Sequence, residues 1–189
     1  MIKVGIAGGP GSGKSSLARQ LTTELYNKRK YNAQYVTEFA RDYINRALLH
    51  GKFIPTIADQ FLIFHNQIER EQIVLDKSDY LISDSPVFLP IIFAFNICDM
   101  SNFQQRLAYT SLYEMFLAKY LKWYDHIFVV QRQKDFLKDG TRHETVEEAD
   151  QIGQQIVAFL KFHRIPFNNI FTELDEARVQ CVLKILGLE

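Results

Sequence analysis

Eight residues near the N-terminus, Gly8-Gly9-Pro10-Gly11-Ser12-Gly13-Lys14-Ser15, constrain this chain more than any other stretch. They meet the spacing Gly-x-x-x-x-Gly-Lys-Ser throughout. Before them, Ile2 to Ala7 reads as a short buried strand. After them, Leu17, Leu21 and Leu25 recur every four residues, as one face of a helix does. Small residues let the backbone curl tightly and aim successive N–H groups at phosphate oxygens, and the helix that starts there adds a favourable field. Lys14 is placed to reach the β and γ phosphates of a triphosphate and Ser15 to ligate magnesium, with Ser16 completing the binding segment. An ordinary Gly-rich turn would leave Lys14-Ser15 unexplained, and the Gly-x-Gly-x-x-Gly spacing of dinucleotide loops is not met.

The rest of the chain is read as alternating strands and helices. Gln34 to Thr37 is expected to be a second strand, and Glu38 to Tyr43 then turns into a helix. Thr56 with Asp59 resembles a capping box ahead of a helix whose buried face is Ile57, Phe61, Phe64 and Ile68. Tyr80 to Ser83 reads as a strand, and Phe103, Leu107, Phe116 and Leu121 fall in a further helix. Ile127 to Val130 is apolar and mostly β-branched, hence a strand. Thr145 and Glu148 cap a helix carrying Ile152, Ile156, Phe159 and Leu160. Phe167 to Thr172 supplies a fifth strand and Leu174 to Leu186 a closing helix. Strands separated by helices imply an α/β protein with a mostly parallel sheet covered on both faces.

Length and charge narrow the function. The 189 residues suit one domain, 1–189. Twenty-two Lys plus Arg balance twenty-two Asp plus Glu, which argues against a chain whose main task is to wrap nucleic acid. That balance leaves a homo-oligomer open. Cys98 and Cys181 lack metal-ligand spacing, as do His50, His65, His126 and His163. The N-terminus does not resemble an export signal, and the apolar stretch from Pro86 to Cys98 is too short to cross a membrane. The expectation is therefore a cytoplasmic protein with no membrane partner.

Two carboxylates follow strands, where α/β proteins place their ligands. Asp84 ends the Tyr80–Ser83 strand and is suited to hold magnesium through water, to orient the attacking group, or merely to cap the Ser85-Pro86 turn. Glu38 follows the second strand and can accept a substrate proton, bind a sugar hydroxyl, or act only as a favourable helix N-terminal charge. Arg41, three residues on, shares its face and either meets an acceptor phosphate or pairs with Glu38. Phe39 and Tyr43 are candidates to pack against a base, or core residues. Between Gln131 and Glu144 the chain is rich in Lys and Arg and turns at Asp139-Gly140. That segment, 131–145, is expected to act as a lid over phosphates, with Arg132 and Arg142 as the contacts, since guanidinium bridges two oxygens.

The phosphate loop, together with Thr37-Glu38-Phe39-Ala40-Arg41 and Asp139-Gly140-Thr141-Arg142, resembles the P-loop nucleoside and nucleotide kinase superfamily. Within it, the chain is most similar to the nicotinamide-riboside-kinase-like branch of AAA-type ATPases and kinases. The resemblance implies a three-layer fold with a five-stranded sheet ordered 2-3-1-4-5. It implies ATP and Mg2+ as cofactors and places roles on Lys14, Ser15, Asp84, Arg132 and Arg142, with Glu38 as the substrate-side carboxylate. Asp84-Ser85-Pro86 departs from the Asp-Arg pair usual in thymidylate-kinase-like proteins. There is no Asn-Lys-x-Asp guanine-recognition segment and no Leu-Ser-Gly-Gly-Gln transporter signature. The leading expectation is ATP-dependent phosphorylation of a small nucleoside, nucleotide or ribosylnicotinamide-like acceptor. The alternatives are an NTPase module acting on a protein or nucleic acid, and a polynucleotide 5′-kinase.

Overall fold

The computed structural model describes residues 1–51, 53–131, 145–171 and 175–188, the side chain of Asp175 excepted. Five parallel strands form the middle layer: β1 (Ile2–Ala7), β2 (Ala33–Val36), β3 (Tyr80–Ser83), β4 (His126–Val130) and β5 (Asn168–Ile170). Their order is β2-β3-β1-β4-β5, as the resemblance implied. Among the described residues seven α-helices flank them: α1 (Lys14–Thr23), α2 (Phe39–Leu48), α3 (Ile57–Leu75), α4 (Leu89–Ile97), α5 (Phe103–Lys119), α6 (Val146–Phe162) and α7 (Asp175–Ile185).

Strand alternation divides the core into two layers. Val4, Ile6, Phe128 and Val130 face α1 and α7, where they meet Leu17, Leu21, Leu25, Val182 and Leu183. Ala7, Ile127 and Val129 face the opposite way and pack with Phe64, Phe88, Ile91, Phe116, Ile156 and Leu160 from α3 to α6. Successive strand residues point to opposite faces, so a sheet covered on both sides must read as continuously apolar. β3 does so, with all four residues buried.

Thr56 and Asp59 form the reciprocal cap of α3, and Thr145 and Glu148 that of α6. Other boundaries move. The second strand begins at Ala33 and releases Thr37, because β3 pairs Tyr80 with Ala33 while Glu38 already caps α2. The fifth strand is Asn168–Ile170, leaving out Phe167 and Phe171, since β4 offers partners only for those three among the described residues, and Thr172 lies outside them. Leu121 lies beyond the end of α5. A turn of π-helix, Glu24–Lys28, extends α1 and has no signal in the sequence. The apolar Pro86–Cys98 stretch folds as α4, buried between its neighbours, with Pro90 in the first turn, where a missing N–H costs nothing. No helix among the described residues is long and apolar enough to cross a membrane.

Candidate active site

The loop from Gly8 to Ser15 leaves the carboxyl end of the central strand and enters α1 at Lys14. Gly13 takes a left-handed conformation, φ 85°, and a Cβ there would also meet the Arg178 Nη1 at 2.5 Å. Gly9 is required by close approach: a Cβ would run into the carbonyl oxygen of Ala149. The first turn of α6 is thus seated directly on the phosphate loop. The Ser12 hydroxyl oxygen is buried and has no hydrogen-bond partner among the described residues. Lys14 is only 8% exposed, so its charge sits where water screens it weakly.

Asp84 stands across from Lys14 and Ser15. Its N–H donates to the Val36 carbonyl at 3.1 Å, a contact that fastens the end of β3 to β2. Its Oδ2 accepts from the Tyr35 hydroxyl at 2.8 Å, whereas Oδ1 is buried and, among the described residues, lacks a donor in hydrogen-bond geometry. Burial raises the Asp84 pKa, and the charge of Glu38 adds to the rise. The nearby Lys14 charge and the Ser15 and Tyr35 hydroxyls pull the other way. Tyr35 is pushed up to about 12, by burial first and then by the Asp84 carboxylate. An unpartnered carboxylate oxygen beside a serine hydroxyl is a hard-oxygen pair of the type magnesium accepts. Among the described residues no cluster of three or more His, Cys, Asp or Glu could hold a metal by itself. Any magnesium here would therefore lean on nucleotide phosphates and water for its remaining ligands, as that ion ordinarily does.

Glu38, Phe39, Arg41 and Tyr43 lie together at the start of α2. Glu38 occupies its N-cap position, and Arg41 donates to Glu38 Oε2 at 3.1 Å, so these two residues meet as a pair. Phe39 and Tyr43 stack, with ring centroids 6.0 Å apart. The Tyr43 hydroxyl donates to Asp59 at 2.5 Å, which ties it to the start of α3. Phe39 lies under the Arg70 guanidinium, 4.9 Å from the ring centroid. Arg132, Arg142 and the body of the expected 131–145 lid lie outside the described residues.

Several site residues escaped sequence reasoning. Tyr35 reads as one more strand residue, and its hydroxyl matters only because β2 lies beside β3. Gln60, Gln67 and Glu71 fall on the inner face of α3 and are buried with Ile63, Phe64 and Ile68. Their signal was available, since polar residues interrupt an otherwise apolar helical stripe. Two cavities, of about 530 and 710 Å³, lie beside Gly9 along α6 and between α1 and α7. Neither is lined by Glu38 or Asp84.

These features define a P-loop nucleotide-binding protein of the three-layer α/β class. The family model described as an AAA domain matches residues 3–178, and the chain belongs to that family. No curated protein sequence matches significantly. Among solved structures, deoxyadenosine kinase from M. mycoides, with products dCMP and a flexible dCDP bound, superposes with TM-score 0.63. It shares 15% identity, with 98% of each chain covered. A NadR protein in complex with NR gives TM-score 0.78 at 16% identity, covering all of this chain and 52% of that one. This protein thus spans about half the NadR chain. Thymidylate kinase from Ehrlichia chaffeensis gives TM-score 0.62 at 14% identity, with 98% of each chain covered. At such identities the likeness is one of fold.

Proposed function

We propose that the protein transfers the γ-phosphoryl group of ATP to a small nucleoside-, nucleotide- or ribosylnicotinamide-like acceptor. The observation that carries this reading is the convergence on one side of the phosphate loop of Lys14, Ser15, Glu38 and a buried Asp84 with one unpartnered oxygen. A turn-capping aspartate would be exposed or fully hydrogen-bonded, whereas Asp84 is buried with only its Oδ2 partnered among the described residues. The shared fold supports the reading, since two of the similar structures are kinases of small nucleosides or nucleotides and a third holds NR.

Phosphoryl transfer depends on positioning and charge stabilisation more than on covalent help from the protein. The backbone from Gly8 to Ser16 would cradle the phosphates, with the Ser12 hydroxyl as an additional donor. Lys14 would stabilise negative charge on the transferring oxygens, and its burial strengthens that interaction. Ser15 and Asp84 Oδ1 would hold magnesium, which neutralises phosphate charge when bound with the nucleotide. Glu38 would orient the acceptor hydroxyl and Arg41 would meet an anionic acceptor, with Phe39 and Tyr43 flanking its ring. Arg132 and Arg142 are the proposed phosphate contacts from the lid.

A coupled assay with ATP, magnesium and a panel of nucleosides, monophosphates and ribosylnicotinamide tests the reading. Acceptor-dependent ADP release with a phosphorylated product is expected. ATP loss without phosphorylated product would overturn it in favour of an NTPase module. Phosphorylation confined to polynucleotide 5′ ends would replace the acceptor class. Lys14→Ala should lower turnover by at least about a hundredfold, the scale of losing one preorganised charge at the reacting oxygens.

A further inference from the structure

Behind Asp84, on the far side of β3, lies a second buried carboxylate. Glu71, near the end of α3, is fully buried. Its Oε1 accepts from the Ser83 hydroxyl at 2.6 Å and from the Tyr124 hydroxyl at 2.7 Å, and its Oε2 accepts from the Trp123 indole N–H at 2.6 Å. Among the described residues no Lys, Arg or His forms an ion pair with it. Burial raises its pKa, while the Ser83, Tyr124, Trp123 and Gln67 hydrogen bonds oppose the rise. A carboxylate in this position is costly unless donors satisfy it, and an apolar residue of similar size would fill the same stripe of α3 without that cost.

The three donors are not scattered. Ser83 immediately precedes Asp84. The Tyr124 hydroxyl, besides donating to Glu71, accepts the Val87 N–H at 2.9 Å. Glu71 therefore braces the chain on both sides of Asp84, directly at residue 83 and through Tyr124 at residue 87. Residues 83 to 85 are all buried, and the Asp84 N–H is held separately by Val36. The segment that carries Asp84 Oδ1 is thus held at residues 83, 84 and 87, while that oxygen has no hydrogen-bond partner among the described residues. Cement between α3 and the sheet would need only one of these contacts, whereas this set encloses one short segment.

We propose that Glu71 is a positioning residue for the Asp84 carboxylate, holding it through Ser83 and Tyr124 in the orientation that binds magnesium beside Ser15. This deepens the proposed function and rests on its placing of magnesium at Ser15 and Asp84. Partners that orient a metal-binding carboxylate are worth about 10- to 100-fold in metal affinity when removed. The step from Glu71 to Asp84 is one residue of rigid strand, so the lower end of that range applies.

The test needs no acceptor. Mn2+ binding to the full-length protein with ADP is followed by electron paramagnetic resonance for the wild type, Asp84→Asn, Ser83→Ala and Glu71→Gln. Thermal unfolding and metal-free ADP affinity are measured alongside. Asp84→Asn is expected to lose Mn2+. Ser83→Ala and Glu71→Gln are expected to weaken it about tenfold, with metal-free ADP affinity within about twofold of wild type. Wild-type Mn2+ affinity in a folded Ser83→Ala or Glu71→Gln protein overturns the proposal, and a lowered Tm with unaltered Mn2+ affinity does so by assigning Glu71 to stability alone. If Glu71→Gln does not fold, Ser83→Ala decides, because it leaves Glu71 its tryptophan and tyrosine donors. Undiminished Mn2+ binding by Asp84→Asn removes the magnesium placement, and the proposal with it. A wild type that phosphorylates no acceptor, yet loses Mn2+ on Ser83→Ala, overturns only the acceptor reading.

Discussion

Among the described residues one oxygen of Asp84 has a hydrogen bond and the other has none, and the difference gives Tyr35 a measurable role. The Tyr35 hydroxyl donates to Oδ2 at 2.8 Å and helps hold the buried carboxyl ionised against desolvation and the charge of Glu38. In Tyr35→Phe that donor is gone, so the Asp84 pKa rises further and the ionised fraction at a given pH falls. The acidic limb of the kcat profile should therefore move to higher pH, with kcat at neutral pH lowered on the order of tenfold. That is the scale of one charge-assisted hydrogen bond, about 1.5–3 kcal/mol. An unmoved acidic limb in a folded variant would show that Asp84 does not need its charge. At this scale the sequence is legible where chemistry is written in consecutive residues, as from Gly8 to Ser15. Asp84 could be picked out by its place after an apolar run. Tyr35 could not, because its meaning comes from a strand neighbour 49 residues away. The place of Glu71 on the buried stripe of α3 was legible, but its three donors were not, since they come from two distant segments.

Among the elements, α2 differs from the others in having no buried residue. Polar contacts from α3 hold it. Gln67 Oε1 accepts the Phe39 N–H at 2.9 Å, and Arg70 donates to the Thr37 hydroxyl at 2.9 Å and to Asp42 at 2.8 Å while covering the Phe39 ring. An element held this way adds little to global stability and moves at small cost, as segments that admit a ligand generally do. Arg70→Ala should accordingly lower Tm by no more than about 2–4 °C, since exposed pairs are worth at most about 1 kcal/mol. The same change should raise KM for the acceptor severalfold and leave KM for ATP within about twofold, because Lys14 and Ser15 belong to α1. Equal rises in both constants would place Arg70 in a role wider than holding α2. Glu38 stands at the N-cap position of α2 without a side-chain cap hydrogen bond, whereas both capping boxes hold, because caps are local. The helix's lack of a buried face was not legible. Phe39 and Tyr43 look like core positions until the third helix is in place to offer them polar partners instead.

For the whole molecule, the sheet order followed from the resemblance, and the two-layer core from strand alternation. What neither conveyed is how the layer of α3 to α6 closes on itself. His163, read in the sequence only as a histidine without metal spacing, sits at the end of α6 among aromatic rings. Phe159, Phe162, Tyr113 and Phe116 have centroids between 4.5 and 6.3 Å from its own. Its Nε2 and the Tyr113 hydroxyl share a hydrogen bond of 3.1 Å that joins α6 to α5. Burial lowers its pKa below the ordinary 6.5. Between the depressed folded value and 6.5 the unfolded chain binds a proton that the folded protein does not. The stability this gives is therefore fully present above 6.5 and is lost as pH falls through the folded pKa. Acid destabilisation from carboxylates is common to any variant, so the contribution of His163 appears as a difference. Tm should fall more steeply from pH 7.5 to 5 in the wild type than in His163→Phe, by a few degrees at most, since the ring is only partly buried. His163→Phe keeps the ring packing and gives up the Tyr113 hydrogen bond, so its Tm should start lower at pH 7.5 and the two curves should converge toward pH 5. Parallel curves would mean that His163 titrates equally in the folded and unfolded chain, and the closure of this layer would then rest on ring packing alone.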